Sequence, residues 1–278
     1  MDFDTTRLSN SLIALALALL VAALPTGVAA AQDHDNAEDE YDIVGTDAAG
    51  NPIEAPDTSK PTNLFSSFGH NLEYTEAAGT DIWGYRGNLQ WAPNPENLVL
   101  VELPLLRNES TGKTGIGDTR LRYFNILWKD YSQFFGAFAL SVDTVLPTGD
   151  IDDGLGSDRA VIAPAVAGGL MIAPWIQTFP IVSYVYTDST DSLLVPEASR
   201  GSLHGYSIQA ITPIVVSDKV WLSYTPIYLK ADSKLPSTFS HELLLNYTLS
   251  PKHQLQFFLR DSPDTDTQSF RLTFRSFF

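Results

Sequence analysis

From Asn63 to its end the chain breaks into segments of about ten residues, the length a tilted membrane-crossing strand needs. Apolar and polar side chains alternate along most of them, and Gly, Pro, Asn, Asp or Ser clusters separate them. An alternation of period two marks a strand with one apolar face, because successive side chains point to opposite sides. The final stretch, FRLTFRSFF, shows it plainly. Phe270, Leu272, Phe274, Ser276 and Phe278 fall on one parity; Arg271, Thr273, Arg275 and Phe277 fall on the other. Two kinds of fold use such strands. One is the edge of a soluble sandwich; the other is a transmembrane barrel, with lipid on one face and a wet lumen on the other.

The arrangement of the segments favours the barrel. They are predicted at Leu64–Tyr74, Ile82–Trp91, Leu98–Leu106, Gly117–Leu127, Gln133–Leu146, Arg159–Ile172, Trp175–Thr187, Gly205–Val216, Val220–Lys230, Thr238–Leu249, His253–Asp261 and Gln268–Phe278. About twelve strands is an even number, as bacterial single-chain barrels require. The connections alternate in character. APNPEN, WKDYS, AP, SDK and SPK are short; RNESTGKTGI, PTGDIDDGLGSD, DSTDSLLVPEASRGSLH and SPDTDT are mostly longer, polar and rich in Gly and Asp. Short turns on one side and long loops on the other are what an outer-membrane barrel has, and a sandwich has no reason to alternate in this way. The expected fold class is therefore all-β: a transmembrane antiparallel β-barrel of about 12 strands. Trp91, Trp128, Tyr131, Trp175, Trp221 and Tyr247, near segment ends, suit an interfacial girdle. Pro164, inside an apolar strand, removes a ladder donor and predicts a bulge.

The start of the chain agrees with export. Residues 12–25 form an apolar run of about 13 residues, the length of a secretory signal core and too short to span as a helix. Ala29, Ala30 and Ala31 then offer a cleavage site, so residues 1–31 read as a signal peptide; Arg7 is the one basic residue ahead of the run, which leaves a retained anchor as the alternative. Residues 32–62 cluster carboxylates with Gly and Pro and read as an acidic flexible periplasmic segment, followed by the barrel at 63–278. The chain has no cysteine, hence no disulfide, thiolate metal site or lipoprotein acceptor. Its 33 acidic and 17 basic residues give a formal charge of −16, which argues against a nucleic-acid partner. No cofactor motif is present. The expected location is the outer membrane of a Gram-negative cell, and the expected partners are its lipid, the barrel-assembly machinery and a small-molecule solute.

Parity places charges inside. Arg86, Arg120, Arg122, Arg260, Arg271 and Arg275 would face the lumen with Glu102, Asp118, Asp143 and Glu242. On the lipid face an Arg or Lys at mid-depth would cost about 2–4 kcal/mol. These residues are the candidate solute-binding and selectivity set: either a mildly electropositive constriction, or ion pairs that fill a narrow lumen. Asp150, Asp152, Asp153 and Asp158 gather in one loop, but without the spacing of an EF-hand. Ser202/His204 and Ser240/His241 are the close Ser–His pairs. Adjacent strand residues face opposite ways, and neither pair has an evident acid, so the chain is read as no enzyme.

TGIGDTRLRY, then SVDTVLPTGD, then GLGSDRAVIAPAVAGGL, with RGNLQW before them, resemble a widespread group of proteobacterial outer-membrane proteins described as transporters or as the phenol meta-pathway degradation family. The resemblance runs from about Ile82 to Phe278. It implies an outer-membrane barrel that passes small solutes, and a terminal Phe278 that serves as the assembly signal. Gly149, in LPTGD, is expected to supply a positive φ where a strand turns into an outer loop.

Overall fold

The computed structural model describes residues 57–278. The expected signal peptide and residues 32–56 of the acidic segment lie outside them. Thirteen antiparallel strands follow one another: β1 (Ser67–Ala77), β2 (Thr80–Asn94), β3 (Asn97–Asn108), β4 (Lys113–Ile116), β5 (Thr119–Lys129), β6 (Phe135–Leu146), β7 (Val161–Ala173), β8 (Ile176–Thr187), β9 (Leu203–Ser217), β10 (Val220–Lys230), β11 (Thr238–Ser250), β12 (His253–Ser262) and β13 (Thr267–Phe277). Apart from β4 and β5, consecutive strands pair with each other, and β1 closes the sheet on β13 from Ser67↔Phe277 to Ala77↔Thr267. β4 and β5 both pair with β3 and form one stave, so the barrel has twelve. Closure leaves no unpaired edge, the condition for crossing lipid with strands.

The β4–β5 break is a bulge. Pairing passes from Leu105↔Ile116 to Glu102↔Arg120, so three steps on β3 face four across Gly117 and Asp118. Gly117 fits closely there: a Cβ would come within 2.5 Å of the Leu106 side chain and force it to shift. The bulge expected at Pro164 does not form. Its register with β6 runs on unbroken, and the shifts fall at the strand ends, Phe135/Ala137 and Met171/Ala173.

The distribution of polarity decides between barrel and sandwich. Leu72, Leu103 and Phe257 are 62%, 55% and 54% exposed, in a barrel-wide belt of outward apolar side chains that water would not tolerate. The buried side chains are in large part polar: Asn71, Asn88, Asn246, Gln254, Gln256 and Thr273 all lie within the wall's inner face. Trp83, Trp91, Trp175 and Tyr247 point outward, as a girdle needs. Trp221 and Tyr131 do not. Trp221 turns inward and its Nε1 donates to Thr58 Oγ1 (3.1 Å), while Tyr131 lies under the Lys60 ammonium.

Five connections on one side, β2–β3, β5–β6, β7–β8, β9–β10 and β11–β12, are tight turns, and both barrel ends lie there. The opposite side carries the long loops at 147–160 and 188–202, which marks it as the outer side.

Candidate functional site

The barrel encloses a chamber of about 940 Å³ that runs along its axis. Its lining divides into two arcs. One is built by β1–β6 and β11–β13 and carries every inward charge. Arg86 donates from Nε and Nη2 to the two carboxylate oxygens of Glu73, both at 2.9 Å. Glu102 lies behind, with Arg120 at 3.6 Å, Arg86 at 3.9 Å and a hydrogen bond donated by Asn88 Nδ2 at 2.7 Å. Asp143 on β6 holds two arginines of β5, accepting from Arg120 and from Arg122 Nη2 (2.5 Å). Arg271 approaches Glu73 at 3.5 Å, and Arg260 approaches Glu242 at 3.8 Å. Such pairing is what desolvated charges require.

The other arc, β7–β10, presents no formal charge to the chamber. Its wall is made of Ala163, Ala165, Ala167, Ile181, Ile211 and Ile227, with scattered hydroxyls such as Ser183 and Thr225. The small residues have a packing reason as well. A Cβ on Gly169 would meet Phe179 at 2.9 Å and Ala137 at 3.0 Å, so this side of the lumen is already filled to contact. The arcs meet where Asp143 pairs with Ala163 in register across β6 and β7.

A strap crosses the inner end. Residues 57–64 run between opposite walls before entering β1. Thr58 Oγ1 accepts from Trp221 Nε1 of β10 and from Gln254 Nε2 of β12 (2.6 Å). Leu64 packs on Ile126, Ala139 and Ala167 of β5–β7. Pro61, Thr62 and Leu64 form the chamber floor, and Lys129 Nζ donates to Asn63 Oδ1 (3.3 Å). Burial, with the Asp57 carboxylate nearby, raises the pKa of the Tyr131 hydroxyl beside it and keeps the phenol neutral.

The positions expected from parity divide clearly. Arg86, Arg120, Arg122, Asp143, Glu242, Arg260 and Arg271 line the chamber. Glu102 faces inward but is buried behind the arginines. Arg275 sits low on β13 opposite Gln254 and does not reach the chamber surface. Asp118 is not a lumen residue. It belongs to the bulge, and its carboxylate accepts the N–H of Gly149 (3.0 Å) and both the N–H and the hydroxyl of Ser157 (2.8 and 2.7 Å). The three Gly-rich motifs are thus one knot at the outer rim. Gly149 serves it by close approach rather than by positive φ: a Cβ there would meet Leu155 O at 2.4 Å. Asp150 turns its own loop, accepting the N–H groups of Asp152 and Asp153 (2.8 and 3.2 Å). His204 and His241 bond Tyr184 and Tyr224 on the outer wall (2.6 and 2.7 Å), while Ser240 is buried on the inner face.

Glu73 was absent from the parity set although it anchors two arginines. The alternation of Ser67, Gly69, Asn71, Glu73 and Thr75 carried the signal, but strand β1 begins three residues later than its apolar start suggests.

No family model and no curated protein matches the chain. Solved structures do. The COG4313 outer membrane channel from Pseudomonas putida F1 superposes with a TM-score of 0.56 at 13% identity, covering 80% of this chain and 99% of that one. This is an outer-membrane β-barrel. Two porins share its architecture: NanC (TM-score 0.56, 8% identity) and KdgM (TM-score 0.53, 11% identity), each covering 76% of this chain and 99% of its own. At these identities the likeness establishes the fold of the barrel.

Proposed function

We propose that the protein is a channel of the Gram-negative outer membrane that lets small polar or aromatic solutes pass without energy input. The chamber carries this reading: an axial space of about 940 Å³, walled by paired arginines on one side, is more than a closed structural barrel needs. Barrels of the same fold that bear the names channel and porin support the class. The motif order supports a place in the transporter or phenol meta-pathway group. In this reading residues 1–31 direct export, the acidic segment stays in the periplasm, and Phe278 is read by the assembly machinery. The charged positions given by parity act as the selectivity set, apart from Asp118 at the rim and Arg275 below the chamber surface. No catalysis is assigned.

The strap favours a second reading, a barrel whose lumen is shut and whose outer loops bind partners. Single-channel recording of the refolded mature protein separates the two. Steady conductance with anion preference, lost in Arg120→Ala/Arg122→Ala, is expected for the channel. A folded but silent barrel supports the closed form. Thr58→Val takes the acceptor from Trp221 Nε1 and the nearer of two acceptors from Gln254 Nε2, at a cost of about 1–3 kcal/mol, and is expected to raise conductance by loosening the floor.

A further inference from the structure

The inward charges do not balance. Six arginines (Arg86, Arg120, Arg122, Arg260, Arg271, Arg275) face four carboxylates (Glu73, Glu102, Asp143, Glu242), a surplus of two positive charges, all on one arc. Arg122 has a side to spare, as does Arg260, which meets only Glu242 at 3.8 Å; of the two, Arg122 stands on the β7 side of the arc. It shares Asp143 with Arg120 and bonds it through Nε and Nη2. Among the described residues its Nη1 has no acceptor, and its side chain is 35% exposed to the chamber. Two staves away, about 10 Å across the wall, the alanine stripe of β7 begins: Asp143 of β6 is in register with Ala163, and Ser141 with Ala165.

We propose that the chamber selects organic monoanions with an apolar body, a carboxylate on a hydrocarbon or aromatic frame. The carboxylate takes the free edge of Arg122, joined by Arg120, and the body lies on the Ala163–Ala165–Ile181 wall. This deepens the channel reading above and rests on it. The chemistry excludes the alternatives by cost. A solute that is polar on every side leaves hydration unreplaced against the uncharged arc. A neutral hydrocarbon gains apolar contact but strips water from guanidinium groups without replacing its hydrogen bonds. A cation meets the surplus positive charge. A monoanion with one apolar side satisfies both arcs, and the charge-assisted bond to arginine also fixes its orientation.

Calorimetric titration of the full mature chain in detergent, alongside bilayer recording, tests this with four probes at equal ionic strength: benzoate, acetate, benzyl alcohol and benzylammonium. Benzoate is expected to bind about tenfold or more tighter than acetate, from burial of the ring, and tighter than benzyl alcohol; benzylammonium is expected to give no heat. Arg122→Gln should erase the preference for benzoate over benzyl alcohol, and Arg122→Lys should keep part of it. Ala165→Asp should weaken benzoate more than acetate. Equal binding of benzoate and acetate, or of benzoate and benzyl alcohol, overturns the proposal, and this comparison needs no variant. A barrel that conducts ions yet shows no benzoate preference defeats this inference alone. A folded barrel that carries no current and passes no solute defeats the channel reading itself.

Discussion

The two arcs of the lumen solve the same problem, filling an inner wall, by opposite means. Strands β1–β6 and β11–β13 use long charged side chains that cross-brace one another: Glu73 between Arg86 and Arg271, Asp143 between Arg120 and Arg122. Strands β7–β10 use small and aliphatic side chains that let the walls approach to contact, as at Gly169. The first arc depends on its ion pairs, because a desolvated guanidinium that loses its partner is costly, and it still holds two arginines in surplus. The second depends on volume, because a close-packed wall has no room for added atoms. One barrel therefore carries a side that recognises charge and a side that recognises shape, and the strap is fastened to both.

The largest expected effect falls on the charged arc. Glu102→Ala removes the carboxylate behind Arg86 and Arg120 and should cost about 3 kcal/mol in urea unfolding of the lipid-reconstituted barrel. Ser183→Ala on the facing arc should cost under about 1.5 kcal/mol. Equal losses would erase the energetic contrast between the arcs. Next, Gly169→Leu should destabilise by about 1–3 kcal/mol through overpacking against Phe179 and Ala137 while leaving ion selectivity unchanged. A selectivity change there would mean that the uncharged arc also sets the field. Asp118→Ala, at the rim above the seam, removes three hydrogen bonds from the 147–160 loop. Faster protease cleavage of that loop on intact cells is expected, with the barrel itself retained; unchanged cleavage would show that the bonds from Asn108 to the Asp153 and Gly154 carbonyls and from Thr148 to the Gly117 carbonyl hold the loop without Asp118. The smallest effect is Asp143→Asn. It raises the surplus positive charge by one and should move the reversal potential further toward anions, at a smaller stability cost than Glu102→Ala because the amide oxygen still accepts from one of the two arginines.

The alternation in FRLTFRSFF, and its repetition in most of the earlier segments, were enough to specify the barrel, its stave count and the inward facing of the arginines. These follow from a local rule: a strand has period two, and lipid forbids charge on its outer face. What lay beyond the sequence depended on contacts between distant residues. Asp118 has inward parity, but the bulge at Gly117 takes it out of the ladder and gives it to Gly149 and Ser157. Trp221 reads as a girdle residue until Thr58, 163 positions earlier, comes to meet its indole N–H. Residues 57–62 look like the end of a solvated linker, because nothing local shows that they will cross a lumen. The division into two arcs was equally hidden. Alternation says which way a side chain points, but only closure of β1 on β13 decides which strands stand together and which face one another across the chamber.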